Sequence, residues 1–314
     1  MRDLYIHIGA HKTGTTSLQS CFDGQAGTLH KLGVLYPRTN WYHHSQHRLA
    51  FAMKGMRDPS VGDIPDLASE AAKLNRAMAK SECKKSFISS EEFFSCPSES
   101  IIALRNALDA ERIHILATLR RPDTLLVSIY NQKAKQPGNR FVRGIGHFVE
   151  DPCALDRDMD FEACVTPWMD AFGKENTIIR LYEDGSSVVQ MLRILGLSAD
   201  ALPMPSRLNE SVPGVVTEMM RVAKFSQMGK VEQIKLYQLA SQRMADRPPF
   251  FLSDADRRTV IRILQPRIDN LFKRLGRANP YRLECYTPIE NGANRPNVTL
   301  ADLMQLIDHL LQRS

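Results

Sequence analysis

No run in this 314-residue chain approaches the ~20 consecutive apolar residues of a membrane span. Stable membrane insertion is therefore not expected. The first apolar run, DLYIHI at residues 3–8, is too short for a signal-peptide core and leads straight into a structured loop, so no leader is expected either. None of the six cysteines (Cys21, Cys83, Cys96, Cys153, Cys164 and Cys285) sits in a C-x-x-C pair. A chain of this length needs no disulfide staples, and the cysteines read as reduced thiols in a cytoplasmic protein. Repeats, low-complexity tracts and long linkers are also missing. Charge of one sign is not in large excess: 41 Lys and Arg face 35 Asp and Glu, a net +6. That balance permits an anionic ligand and gives no argument for nucleic acid, which is not expected as a partner.

What is present is enough apolar residue, 43%, to bury one large core or two small ones. Short β-rich runs bounded by charge or turn residues predict strands at 3–8, 86–90, 112–119 and 176–182. Helical patterns lie between them at 14–22, 65–82, 97–109 and 122–134, with Ser98 and Pro122 as start signals. Strand–helix alternation predicts an α/β fold with a mainly parallel sheet flanked by helices. From about residue 185 the pattern turns helical, at 187–195, 212–228, 231–245, 254–275 and 299–312. The expected organisation is a single domain over 1–314, with an α/β core at 1–200 and a mainly helical extension at 201–314 packed on it.

Between the first strand and the first helix lies GAHKTGTTS. Gly9 and Gly14 let the backbone approach an anion, and the helix start adds a partial positive charge. The glycines keep the spacing of the phosphate-binding pattern G-x-x-x-x-G-K-[ST]. Thr15 follows the second glycine where a kinase would place its lysine, and the lysine stands inside the loop as Lys12. A plain strand–helix turn needs neither that lysine nor the hydroxyls of Thr13, Thr15 and Thr16. The shift implies a different anion held in a similar cradle. A second anchor is ATLRRPDTLLVSIYNQ, where Arg120 and Arg121 end a predicted strand and Ser128 lies two turns into the helix begun by Pro122. In open α/β sheets ligands bind at the carboxyl ends of strands, so an Arg and a Ser so placed can meet on one phosphate.

Together these stretches resemble the sulfotransferases that use 3′-phosphoadenosine 5′-phosphosulfate. HIGAHKTGTTSLQ is similar to that family's phosphosulfate loop, most of all in a group of bacterial sulfotransferases, and LRRPDTLLVSIY to its R-x-x-x-x-x-x-x-S motif. WMDAFGKENTIIRLYED at 168–184 and RLNES at 207–211 resemble further segments of these families. The resemblance implies a P-loop-like three-layer α/β/α fold, the phosphosulfate donor as co-substrate and adenosine 3′,5′-bisphosphate as product. It implies that Lys12, Gly14, Thr15, Thr16 and Ser17, with the loop neighbours His11 and Thr13, hold the 5′-phosphosulfate. Arg120 and Ser128 are then assigned the 3′-phosphate. Such a donor has no γ-phosphate, so a kinase-type lysine and a magnesium site are unnecessary and no metal is expected. Lys12 would neutralise charge on the leaving oxygen.

Transfer to a hydroxyl or amine acceptor needs a base. Glu91, after the strand KKSFISS, stands where related enzymes carry theirs, and burial there is expected to raise its pKa. Its neighbour Glu92 would face the opposite side of an extended chain. The rival is WYHHSQHRLAF, with His43, His44 and His47; His43 and His47 would share a helix face. A zinc site is not completed there, because the pattern lacks the H-E-x-x-H glutamate and an obvious third ligand. Glu91 is the expected base with His47 in reserve, and a catalytic or acceptor-binding role for one of His43, His44 and His47 is the alternative. Trp168 and Phe172, four apart, read as a core helix or, for Trp168, a cofactor-stacking ring. RVAKFSQMGKVEQIK and DADRRTVIRILQPRIDNLFKRLGR read as solvated faces of amphipathic helices, with a basic face for an acidic acceptor as the alternative. Two other functions fit parts of the sequence, a P-loop kinase of a small metabolite and a non-catalytic polyanion-binding protein. The acceptor and the oligomeric state have no readable pattern.

Overall fold

The computed structural model describes residues 2–203, 212–226, 228–249 and 252–286. The RLNES segment and the helix expected at 299–312 lie outside these residues. Strands β1 (Asp3–His7), β2 (Val34–Leu35), β3 (Lys85–Ser89), β4 (Arg112–Leu119) and β5 (Thr177–Leu181) form one sheet in the order β2-β3-β1-β4-β5. Every neighbouring pair is parallel. The fold is thus α/β with a parallel central sheet, as the alternating pattern predicts. The four longer strands were legible; β2, two residues long, carries too little pattern to be read.

The chain divides into two compact units. The first joins Met1–Arg121, Asp160–Leu208 and Arg267–Asn279, and holds the whole sheet. The second joins Pro122–Met159, Asn209–Pro266 and Pro280–Ser314.

In the first unit β1 is central, and its apolar residues are buried on both faces, as a parallel sheet requires. Tyr5, Phe87 and Leu116 share one face with Leu18 and Phe22 of the helix Thr15–Gly24 and Val188, Met191 and Leu192 of the helix Ser187–Ile194. Alternation sends Leu4, Ile6, Ile88 and Ile115 to the other face, where they are fully buried. The strand register has one further consequence. His7 stands opposite Ser89, and both lie on the face that carries Thr118.

Helices Leu67–Lys80, Ser98–Ala107 and Phe161–Phe172 also belong to the first unit. Trp168 is fully buried, stacked on Phe172 at 5.8 Å and edge-on to Phe93 at 6.1 Å, so it is a core residue. The second unit contains Pro122–Lys135, Ile145–Glu150, Pro152–Leu155, Gly214–Ala223 and Lys230–Arg243. There Asp123, fully buried, is paired with Arg257 at 2.7 Å, and Tyr130 donates to Glu218. Asp254–Arg274 runs from one unit into the other and buries Val260, Ile261, Leu264, Ile268 and Leu271 behind its charged face. Within the described residues no helix is long and apolar enough to cross a membrane, and no disulfide joins the cysteines.

Candidate active site

Because all strands run the same way, their carboxyl ends lie along one edge of the sheet, and four of them deliver the candidate residues. β1 opens into the loop 8–14, β3 into Ser90 and Glu91, β4 into Arg120, and β5 into Tyr182. The loop is fixed from several sides. Ile8 and Ala10 donate backbone hydrogen bonds to Leu116 and Thr118 of β4, at 2.9 and 3.1 Å. Thr13 is buried, and its hydroxyl donates to the Ala10 carbonyl at 2.6 Å, closing the loop on itself. Arg120 donates to the Lys12 carbonyl at 2.9 Å while its guanidinium lies over the Tyr182 ring at 4.7 Å. Lys12 has φ +66°, a left-handed conformation that costs a lysine about 1–3 kcal/mol and that these surrounding contacts enforce.

Gly14 then starts the helix Thr15–Gly24 with φ +81° and no side-chain cap. Ser187 donates to its carbonyl at 3.1 Å, and a Cβ at residue 14 would stand 3.1 Å from the Ser187 hydroxyl. The first turn carries no acidic residue, so nothing on this helix neutralises the positive end of its dipole. Thr15 is buried, Ser17 half-buried and Thr16 exposed. Ser128 is half-buried on the helix Pro122–Lys135, in the second unit.

The two rival bases come together in the first unit. His47 is 8% exposed, and its Nε2 lies 3.9 Å from Glu91 Oε2. Its Nδ1 is 2.7 Å from the Ser90 hydroxyl, which also accepts from the Glu92 backbone N–H at 3.2 Å. Burial lowers the His47 pKa more than Glu91 and Glu92 raise it, so the ring is neutral at pH 7. Burial raises the Glu91 carboxyl, but His47, the Gln19 amide and a backbone N–H together hold it below the usual carboxylate range. The expectation of a raised Glu91 pKa is therefore corrected: its polar neighbours outweigh its burial.

Two further expectations change. The chain does not stay extended after β3 but turns into a 3-10 helix, Glu91–Phe93, pinned by Phe93 against Trp168 and Phe94 against Phe161. Glu92 is consequently brought near the loop, 3.7 Å from His11 Nε2, with Lys54 on its other oxygen at 2.7 Å. The helix His47–Lys54 begins only at His47, so His43 does not share its face. His43 and His44 have positive φ in the preceding turn, and His44 pairs with Asp23. No group of three or more His, Cys, Asp or Glu among the described residues is placed to hold a metal ion.

Sequence reasoning missed His7, Gln19 and Tyr182. His7 is fully buried with its pKa lowered to about 4 by burial, between the hydroxyls of Ser89 (2.9 Å) and Thr118 (3.1 Å). It lies directly beneath the loop, since a Cβ on Gly9 would stand 2.7 Å from its Nε2. A polar residue in an otherwise apolar central strand was the available signal.

No family model matches the sequence, and no curated protein matches it. A solved structure does: a sulfotransferase from Alicyclobacillus acidocaldarius superposes with a TM-score of 0.51 at 15% identity, over 88% of this chain and 97% of that one. At that identity the likeness concerns architecture, and the chain has the fold of that sulfotransferase.

Proposed function

We propose that this protein is a sulfotransferase that moves a sulfuryl group from 3′-phosphoadenosine 5′-phosphosulfate to a hydroxyl or amine of a carbohydrate, lipid or small metabolite. The observation that carries the reading is the pairing of an uncapped, lysine-bearing helix-start loop with an ionised carboxylate, Glu91, at the same sheet edge. The fold shared with a sulfotransferase supports it. The loop from His11 to Ser17 would hold the 5′-phosphosulfate through backbone N–H groups, the hydroxyls and Lys12. Arg120, and by the spacing of its motif Ser128, would hold the 3′-phosphate.

In the step itself the acceptor oxygen attacks sulfur in line. The new S–O bond forms as the S–O bond to the phosphate breaks, and the electron pair leaves on the phosphate oxygen. Lys12 offsets that charge. Glu91 takes the acceptor proton, and His47, its Nε2 3.9 Å from the carboxylate, would help to bind the acceptor.

Calorimetry tests the donor assignment. Adenosine 3′,5′-bisphosphate is expected to bind in EDTA, and Lys12→Ala to abolish transfer without unfolding the chain. Tight binding of ATP that requires Mg²⁺, with no binding of the bisphosphate, would instead make the protein a kinase.

A further inference from the structure

We infer that Gln19 is the positioning residue of Glu91, its side-chain amide holding one carboxylate oxygen so that the other is presented to the acceptor. The inference rests on the reading of Glu91 as the base. Gln19 is buried on the helix Thr15–Gly24, one turn beyond the loop. Its Nε2 donates to Glu91 Oε2 at 2.8 Å and to the Ser89 hydroxyl at 3.2 Å, which uses both amide hydrogens. His47 at 3.9 Å is beyond hydrogen-bond reach, so Gln19 is the nearer director of Glu91.

The amide is itself held in one orientation. Ser89 accepts from Gln19 and is itself held by His7, whose Nδ1 lies 2.9 Å from the Ser89 hydroxyl oxygen. On its other side His7 Nε2 lies 3.1 Å from the Thr118 hydroxyl. The relay Thr118–His7–Ser89–Gln19–Glu91 spans β4, β1 and β3 and reaches Glu91 through the helix that begins at the phosphosulfate loop. Reversing the Gln19 amide would set its oxygen against a carboxylate. The same ten-residue helix thus supports the donor loop at its start and the base director one turn later, and it fixes their separation.

The charged and titratable groups that face Glu91 are His47 from the helix His47–Lys54, His11 from the loop, His7 from β1, Tyr36 beyond β2, and the neighbouring Glu92 with Lys54. Gln19 stabilises the ionised form of Glu91 by hydrogen bonding, so losing it should move the acidic limb of the rate profile to higher pH.

The test compares wild type, Gln19→Leu and Ser89→Ala, using ¹³C NMR titration of the Glu91 carboxyl, the pH profile of kcat, and calorimetric binding of adenosine 3′,5′-bisphosphate. Gln19→Leu is expected to raise the carboxyl pKa, shift the limb in the same direction and lower the plateau about ten- to a hundredfold. Bisphosphate affinity should stay within about twofold. Ser89→Ala, which loosens Gln19 without touching Glu91, should move both readouts the same way by less; it decides the matter if Gln19→Leu does not fold. An unmoved carboxyl titration and an unmoved limb in an active enzyme would overturn the inference alone. A shifted carboxyl in a protein that transfers no sulfate would leave the coupling standing and remove the functional reading.

Discussion

Acidification should destabilise the first unit through the buried His7. His7 is fully buried between two hydroxyls, and its pKa falls from 6.5 to about 4 because burial penalises the imidazolium. A group with a depressed folded pKa contributes stability that is fully present above the unfolded value and is lost as pH falls towards the folded one. For His7 the window is pH 6.5 to 4. At about 1.4 kcal/mol per decade, that separation amounts to roughly 3 kcal/mol, a large part of a typical domain's stability. His7→Gln keeps a donor and an acceptor but cannot titrate. Both tryptophans, Trp41 and Trp168, belong to the first unit, so their fluorescence reports its unfolding. Urea melts at pH 7, 6, 5 and 4 should show wild type losing roughly 3 kcal/mol more than the variant across the series. Other titrating groups, His47 and the carboxylates, are common to both proteins and cancel. Parallel curves would refute the buried, neutral assignment of His7.

Further outcomes concern the loop, the proposed anion contacts and the proposed base. Gly9→Ala should drive the new methyl against His7 Nε2, break its bond to Thr118 and cost about 1–3 kcal/mol in urea melts; unchanged stability would mean that the loop gives way freely. Ser128→Ala should weaken adenosine 3′,5′-bisphosphate about ten- to a hundredfold in calorimetry and leave adenosine 5′-phosphosulfate unaffected. Arg120→Ala should weaken both ligands, because Arg120 also holds the Lys12 carbonyl. His47→Ala should act mainly on the acceptor KM and leave most of kcat; an inactive His47→Ala beside a working Glu91→Gln would reassign the base.

How far the sequence went depended on how local each signal was. The places of the loop, Arg120 and Glu91 at strand ends were legible because a strand end, a glycine pair and a charged residue in close succession are read within a few residues. β1, β3, β4 and β5 were legible for the same reason. The Glu91 environment was not. Its ionisation depends on Gln19, 72 positions away, and on His47, 44 away, which only the parallel register brings to one edge. Treating Glu92 as a residue of an extended chain failed because Phe93 and Phe94 find partners in a later helix and pull the backbone into a 3-10 turn. The pairing of His43 with His47 failed because the helix starts at His47, after a turn in which two successive histidines take positive φ.

Sulfuryl transfer itself can be measured by incubating the protein with ³⁵S-labelled 3′-phosphoadenosine 5′-phosphosulfate in EDTA, against a panel of carbohydrate, lipid, phenol and peptide acceptors. Label is expected to move to at least one hydroxyl or amine acceptor. Glu91→Gln is expected to lower that rate by about 10²–10⁴ while still binding adenosine 3′,5′-bisphosphate. A protein that neither binds the bisphosphate nor releases label from the donor would contradict the account, and so would transfer at an undiminished rate by Glu91→Gln.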